Sequence, residues 1–340
     1  MLRDQVTTLR FNGYVSDKIP IDNRIGQGDP LSIVLYQYYN IDLIDIPKYK
    51  EEDAEAYVDD AFMLASAKDF PSAHHKLADM MCREDGVVNW TKTHSSPLEY
   101  LKLALINFAH SHKNAGNPPL HLPRRTVQPS ESTKYLGVYF DRNLNWKVQQ
   151  AYAVEKGAKW VAKIRRLTWP MWGITPKFAK HLYTSIALPR VLYAVDVWCT
   201  LTNMDYVGPK TVSSAGAIKK ITSTQRASAL AITGGLCTSP MDTLNASAFL
   251  LPALLMIKKW CIRAFVRMAT LPKDHPLFKP VNWKRMRVTK RHCRPLHTLS
   301  NLTNTDTRKM EKIPTFGRNP SSLGELPFSI SIPVNKEALA

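Results

Sequence analysis

Asp59 and Asp60 are adjacent carboxylates in AEAYVDDAFMLA, residues 54–65, between two short apolar runs. Residues 29–60 hold nine Asp or Glu against two Lys. Like charges at that density repel unless a cation neutralises them. Hard carboxylate oxygens suit Mg²⁺, with Mn²⁺ as a substitute, and Mg²⁺ is usually held by one or two carboxylates plus substrate phosphates. In two-metal phosphoryl transfer such a cluster clamps the attacking and leaving oxygens, with ions about 3.5–4 Å apart. The competing reading is a plain acidic turn, because Asp is common in turns.

The second chemical signal is cationic. The chain carries 46 Lys and Arg against 28 Asp and Glu, a net charge of +18 over 340 residues. A surplus of that size suits a polyanion partner, most simply nucleic acid, with a solvated basic surface as the alternative. Residues 147–190 hold nine Lys or Arg and one acid, Glu155. Lys156, Lys159, Lys163 and Arg166 recur at steps of three, four and three, one stripe of a helix, while Trp160, Ile164 and Leu167 lie on an adjoining face. A helix docking by one face and offering cations on the next suits a phosphate backbone. An ordinary amphipathic helix with a solvated lysine face would look the same. Residues 258–294 add twelve Lys or Arg and one acid, and KRMRVTKRHCR within them suits a nucleic-acid contact, a nuclear-import patch or a basic linker.

Local signals place these residues on elements. Asn12-Gly13 between alternating segments predicts a hairpin. Asp29 followed by Pro30 predicts a helix start, with Val34, Tyr38, Ile41 and Ile44 at helical spacing and Pro47 as its end. The Asp59–Asp60 stretch reads as strand, tight turn at residues 58–60, strand. DFPSAHHKLADMMCRE predicts a helix with Ala73, Leu77 and Met80 on one face and Gly86 past its end. KLALINF, residues 102–108, predicts a strand, and residues 114–123 a loop. TKYLGVYFDRNLNW suggests a strand pair turning around residues 141–143. Residues 217–270 read as further helices, and residues 295–340 as a linker or loose tail.

Other classes are disfavoured. The five cysteines are scattered, with no Cys-x-x-Cys pair, which argues against a zinc site or disulfide framework and fits a reducing, intracellular compartment. The longest apolar run, ASAFLLPALLMI, contains Pro252 and falls short of the roughly 20 residues a membrane helix needs. The first ten residues lack the apolar core of a signal peptide, and no internal repeat is evident.

Taken in order, the motifs resemble a known family. GQGDPLSIVL, residues 26–35, is similar to motif B of reverse transcriptases, YVDD, residues 57–60, to motif C, and KLALINF to motif D. KYLGVYFDRNLNW resembles the strand pair that grips the primer. The wording GQGDPLS…YNIDL and ITPKFAKHLY is similar to that of non-long-terminal-repeat retrotransposon polyproteins, and the resemblance runs to about residue 275. It implies an α+β fold: a partial polymerase palm, of ferredoxin-like split βαβ type, followed by a helical thumb and helical extension. The expected divisions are a partial palm over residues 1–125, primer-grip strands and basic thumb over 126–200, a helical extension over 201–275 and a basic tail over 276–340.

At matched positions the resemblance implies that Asp59 holds catalytic Mg²⁺, with Asp60 a second ligand or support. Gln27, Gly28 and Tyr57 would contact the nucleotide and template, Gly28 allowing close approach because it has no side chain. Lys102 would stand near the pyrophosphate leaving group as a proton donor; a solvated lysine at a strand end is the alternative. Lys156, Lys159, Lys163 and Arg166 would track the duplex of RNA template and DNA primer, and deoxynucleoside triphosphates would be the substrates. The chain also departs from the family. Asp4, Asp17 and Asp22 are the acids before Gln27, and none sits in an apolar strand, so the strand carrying the first catalytic carboxylate, and the fingers, are expected to be missing. Arg24 stands where a small residue is expected. The expectation is therefore an RNA-directed DNA polymerase fragment, inactive as a lone chain. A nonenzymatic nucleic-acid-binding remnant is the first alternative. An RNA-templated RNA polymerase is disfavoured, because that class usually has Gly before the two Asp.

Overall fold

The computed structural model describes residues 5–21, 30–94, 96, 98–109, 116–168, 173–201, 214–273, 275, 277–278 and 309–312. The chain divides into two compact units, Met1–Leu144 and Asn145–Ala340.

The first unit opens with four short strands: β1 (Gln5–Thr7), β2 (Arg10–Phe11), β3 (Tyr14–Val15) and β4 (Ile19–Ile21). β2 and β3 pair across Asn12 and Gly13, both at positive φ, so the predicted hairpin forms where the turn chemistry places it. β1 pairs with β4 outside it. Helix α1 (Pro30–Tyr39) begins at the expected proline. It buries none of its side chains, and a 3-10 turn, Ile41–Asp45, follows, burying Leu43. β5 (Glu52–Tyr57) and β6 (Asp60–Ala65) form an antiparallel hairpin with Tyr57 opposite Asp60. Helix α2 (Phe70–Cys82) is N-capped by Asp69, whose side chain accepts from the Ser72 N–H at 2.8 Å. That amide bond is the main reason the Asp69 carboxyl lies below its usual range. Helix α3 (Val87–Thr93) follows, then β7 (Leu120–Leu122), β8 (Arg125–Val127), β9 (Ser132–Tyr135) and β10 (Val138–Asp141). The described strands pair only two at a time. Met81, Val87, Leu105, Leu120, Leu122 and Val127 share a core with Leu43 and Ile46.

Several local expectations change, beginning with the first helix, which ends at Tyr39 and gives way to a 3-10 turn rather than running to Pro47. Residues 102–108 are not a strand: Tyr100–Lys102 is a 3-10 turn, and Leu105 makes a single parallel bridge to Pro129. Proline offers no N–H to extend a ladder, and Asn107 turns inward to bond His74 at 2.8 Å. The expected loop at 114–123 contains β7, paired with β8 through Leu120 opposite Val127. The β9–β10 hairpin turns at Leu136 and Gly137, both at positive φ, and residues 141–143 lie beyond it. Gly86, expected only to end a helix, is also the N-cap of α3.

The second unit is helical: α4 (Lys147–Leu167), α5 (Pro176–Leu182), a π turn at Tyr183–Ala187, α6 (Leu188–Val191), α7 (Val195–Trp198), α8 (Ala215–Thr233), α9 (Met241–Ser247) and α10 (Ala253–Ala269). Its core includes the fully buried Trp198, Phe265, Ile257 and Leu192. Trp198 satisfies its indole by donating to the Tyr193 carbonyl at 2.9 Å. Gly157 lets α4 approach closely: a Cβ there would stand 2.8 Å from Val191 and 3.1 Å from Thr224. Cys199 and Cys261 are buried thiols, pushed up by desolvation to about 11 and about 12, which makes them packing groups rather than nucleophiles. No described helix is long and apolar enough to cross a membrane.

Candidate active site and nucleic-acid interface

In the first unit, the β5–β6 hairpin carries Asp59 and Asp60 at its tip. The two-residue turn is Val58 and Asp59. Val58 has φ of 55° while Asp59 does not have positive φ, the pattern of a type II′ turn, which normally takes glycine at the first position. A β-branched residue held there stores about 1–3 kcal/mol of strain. Beneath the turn lies Asn40, only 6% exposed, whose Nδ2 donates to the Val58 carbonyl at 2.7 Å. Both carboxylates are exposed, and neither side chain takes part in a hydrogen bond or ion pair among the described residues. Tyr57 is exposed beside them.

Two neighbours feel this charge. Lys102 is exposed and pairs with Glu99 at 2.6 Å. The bond to Glu99 holds its ammonium above the usual lysine range, Glu99's charge adds to this, and a smaller part comes from Asp59. Lys102 is therefore a protonated cation within the field of the hairpin tip, although the strand expected to carry it is absent. Tyr135 on β9 lies against the hairpin, its ring 5.7 Å from that of Phe62. Burial first, then the charges of Glu55 and Asp60, push its phenol up. Among the described residues no group of three or more His, Cys, Asp or Glu could hold a metal. Two adjacent, unpaired carboxylates still match the one or two that a protein commonly offers Mg²⁺ when substrate phosphates complete its shell.

At its other end the hairpin is fixed by a buried ion pair. Glu52 is 1% exposed and Arg83 10% exposed at the side chain, with Nη2 to Oε2 at 3.2 Å. Glu52 also accepts the Lys48 N–H at 3.0 Å, and Arg83 donates to the Ile46 carbonyl. One guanidinium thus ties the end of α2, the start of β5 and the chain after the 3-10 turn together.

In the second unit, the predicted basic stripe is brought together. Lys156, Lys159, Lys163 and Arg166 line a groove of about 460 Å³ with Trp160, Ala162 and Arg190. Lys163 Nζ and Arg190 Cζ each lie 4.7 Å from the Trp160 ring centre, and Lys156 Nζ 4.3 Å from the Tyr152 ring. Among the described residues, Lys159 alone of these cations has an acid partner, Glu155 at 2.5 Å, which holds its ammonium above the usual range. On the adjoining face Ile164 is buried and Trp160 half-buried, but Leu167 is exposed. Arg190 was invisible to helical spacing because it comes from α6. Asn40 stands in the sequence only as part of the YNIDL wording, and its one signal is an Asn placed at the end of a helix. Gln27 and Gly28, like Arg24, Asp29 and the basic run at 284–294, lie outside the described residues.

No family model matches the chain, and no solved structure matches it. Among curated proteins, it is 24% identical over 210 residues to the RNA-directed DNA polymerase from mobile element jockey of Drosophila melanogaster, covering 58% of this chain and 22% of that protein. It is 31% identical over 84 residues to the retrovirus-related Pol polyprotein from type-1 retrotransposable element R1 4 of Nasonia vitripennis, covering 25% of this chain and 21% of that protein. The chain spans about a fifth of the length of these relatives.

Proposed function

We propose that this chain, similar to the RNA-directed DNA polymerase from mobile element jockey and to the Pol polyprotein from type-1 retrotransposable element R1 4, is the palm-and-thumb part of an RNA-directed DNA polymerase of a non-long-terminal-repeat retrotransposon. The observation that carries the reading is the hairpin tip, which presents two unpaired carboxylates on a strained turn, with the cation Lys102 in its field. In the reaction a primer 3′-hydroxyl attacks the α-phosphorus of a deoxynucleoside triphosphate, and pyrophosphate leaves. Asp59 and Asp60 would hold Mg²⁺, which supplies charge neutralisation at the reacting phosphate. Lys102, protonated, would offer its proton to the leaving pyrophosphate. The cations of the α4 groove would hold the template–primer backbone without reading sequence.

Two carboxylates make half of a two-metal site. On this reading the 340-residue chain by itself is expected to extend no primer. The test pairs two measurements on the purified chain. Mn²⁺ titration followed by electron paramagnetic resonance should show binding that Asp59→Asn with Asp60→Asn removes. Primer extension on an RNA template should show no product. Metal binding indifferent to both substitutions, or extension abolished by Asp59→Asn alone, would overturn the respective half of the proposal. The groove's charge favours a second reading, a nonenzymatic nucleic-acid-binding remnant. Salt-sensitive binding combined with no metal binding at the hairpin would select it.

A further inference from the structure

We infer that Asn40 is a positioning residue for Asp59, acting by fixing the orientation of the peptide that joins Val58 to Asp59. The inference rests on the reading of this hairpin as a metal-holding one. The backbone of Asn40 is already committed: its N–H donates to the Tyr36 carbonyl at 3.0 Å, closing α1, and its carbonyl accepts from Leu43 at 3.0 Å, opening the 3-10 turn. Its side chain is left for a different task. A carbonyl can only accept, so the amide nitrogen must face Val58. Asn40 Oδ1 is buried with no partner among the described residues, so the side chain is set for that one donation.

The bonded carbonyl matters because of where it sits. Turns of types I′ and II′ differ chiefly in the plane of the peptide between their two central residues. That peptide begins at the Val58 carbonyl. Gripping it selects one plane, and with it the direction in which Asp59 leaves the backbone. Glycine at position 58 would favour the observed conformation unaided. Valine does not, since positive φ strains a β-branched residue. The clamp and the strain are therefore coupled, and the coupling can be measured.

Asn40→Leu, Val58→Gly and the double variant would be compared by Mn²⁺ affinity and by hydrogen exchange of the amides at residues 58–61. Asn40→Leu should weaken Mn²⁺ binding about fivefold, the scale of one hydrogen bond, and speed exchange at the turn. Val58→Gly should restore both in the double variant, while changing little alone. Loss in Asn40→Leu that Val58→Gly does not restore means that Asn40 only fills the core, and overturns the inference. So does unchanged exchange in Asn40→Leu. Asn40→Ala, read against the same rescue, takes its place if the leucine variant does not fold. If the wild-type chain binds no Mn²⁺, the functional reading fails, while the exchange rates still decide whether the clamp exists.

Discussion

Replacing Arg83 by Met should destabilise the first unit more than replacing Glu52 by Gln, and the excess should shrink as the pH falls. Removing one partner of a buried ion pair typically costs about 3–5 kcal/mol. The two ends of this pair are not equally provided for. Arg83 has further partners in Asp79 at 3.2 Å and Asp85 at 3.6 Å, and a glutamine at position 52 can still accept from it. That loss belongs near about 1–3 kcal/mol, the scale of a weakened hydrogen bond to a charged group. In Arg83→Met, Glu52 stays 1% exposed with backbone N–H groups of Lys48 and Tyr49 but no cation beside it, so the cost belongs near the top of the range, about 4–5 kcal/mol. The pH dependence follows from the carboxyl. Burial alone would raise the Glu52 pKa; the Lys48 N–H and Arg83 outweigh it and set it below the ordinary 4.5. In the native protein its contribution is complete above pH 4.5 and is lost as the pH falls through the depressed value. Without Arg83, burial is opposed only by the Lys48 and Tyr49 N–H groups, and the folded pKa rises from its depressed value. A neutral carboxyl is cheaper to bury, so the Arg83→Met deficit should diminish on acidification from pH 7 through that raised value. Hydrogen exchange of β5 and β6 amides, measured over that window, reports the stability of this unit. Equal losses in the two variants, or a deficit that grows on acidification, would refute the reasoning.

Gly157→Ala should destabilise the second unit. The helical preference for alanine, about 1 kcal/mol, is opposed by overpacking against the buried Val191 at 2.8 Å, typically about 1–3 kcal/mol; a rise in denaturation midpoint would contradict the close approach. Glu99→Gln should lower the Lys102 pKa, and Asp59→Asn should lower it less, as read by NMR of labelled lysine side chains. In nucleic-acid binding, Lys163→Ala and Arg190→Ala should each reduce the slope of log affinity against log salt by about 0.9 on a duplex, or about 0.7 on a single strand. Lys159→Ala should reduce it less, because Glu155 already neutralises that ammonium.

What the sequence made legible was local chemistry at short range. Asn12-Gly13 turns a hairpin, Pro30 opens a helix, and the stripe from Lys156 to Arg166 lines one groove. Each depends on residues within a few positions of one another. Failures begin where a distant group decides the outcome. Residues 102–108 have the composition of a strand, but Leu105 meets a proline at position 129 that cannot continue a ladder. β7 hides in a proline-rich stretch because its partner, β8, supplies the pairing. Helix α3 is seven residues long and leaves too short a period to detect. Arg190 joins the groove from a separate helix, and Asn40 reaches the hairpin tip across 18 positions.

The arrangement around Asp59 and Asp60 bears on the question their types alone left open. A plain acidic turn would be expected to settle into the conformation its residues favour, with Gly or Asn at the position of positive φ. Here a valine occupies that position at φ of 55°, and a buried asparagine holds its carbonyl. The far end of the same hairpin is anchored by a buried ion pair that engages three segments. The two carboxylates themselves are exposed and unpaired among the described residues. Specific interactions thus fix the frame on both sides of the acids and leave the acids free. Strain of this kind persists only where the surroundings over-determine it, and it gathers at functional sites. That distribution favours a hairpin built to present carboxylates to a cation over one in which the acids are incidental.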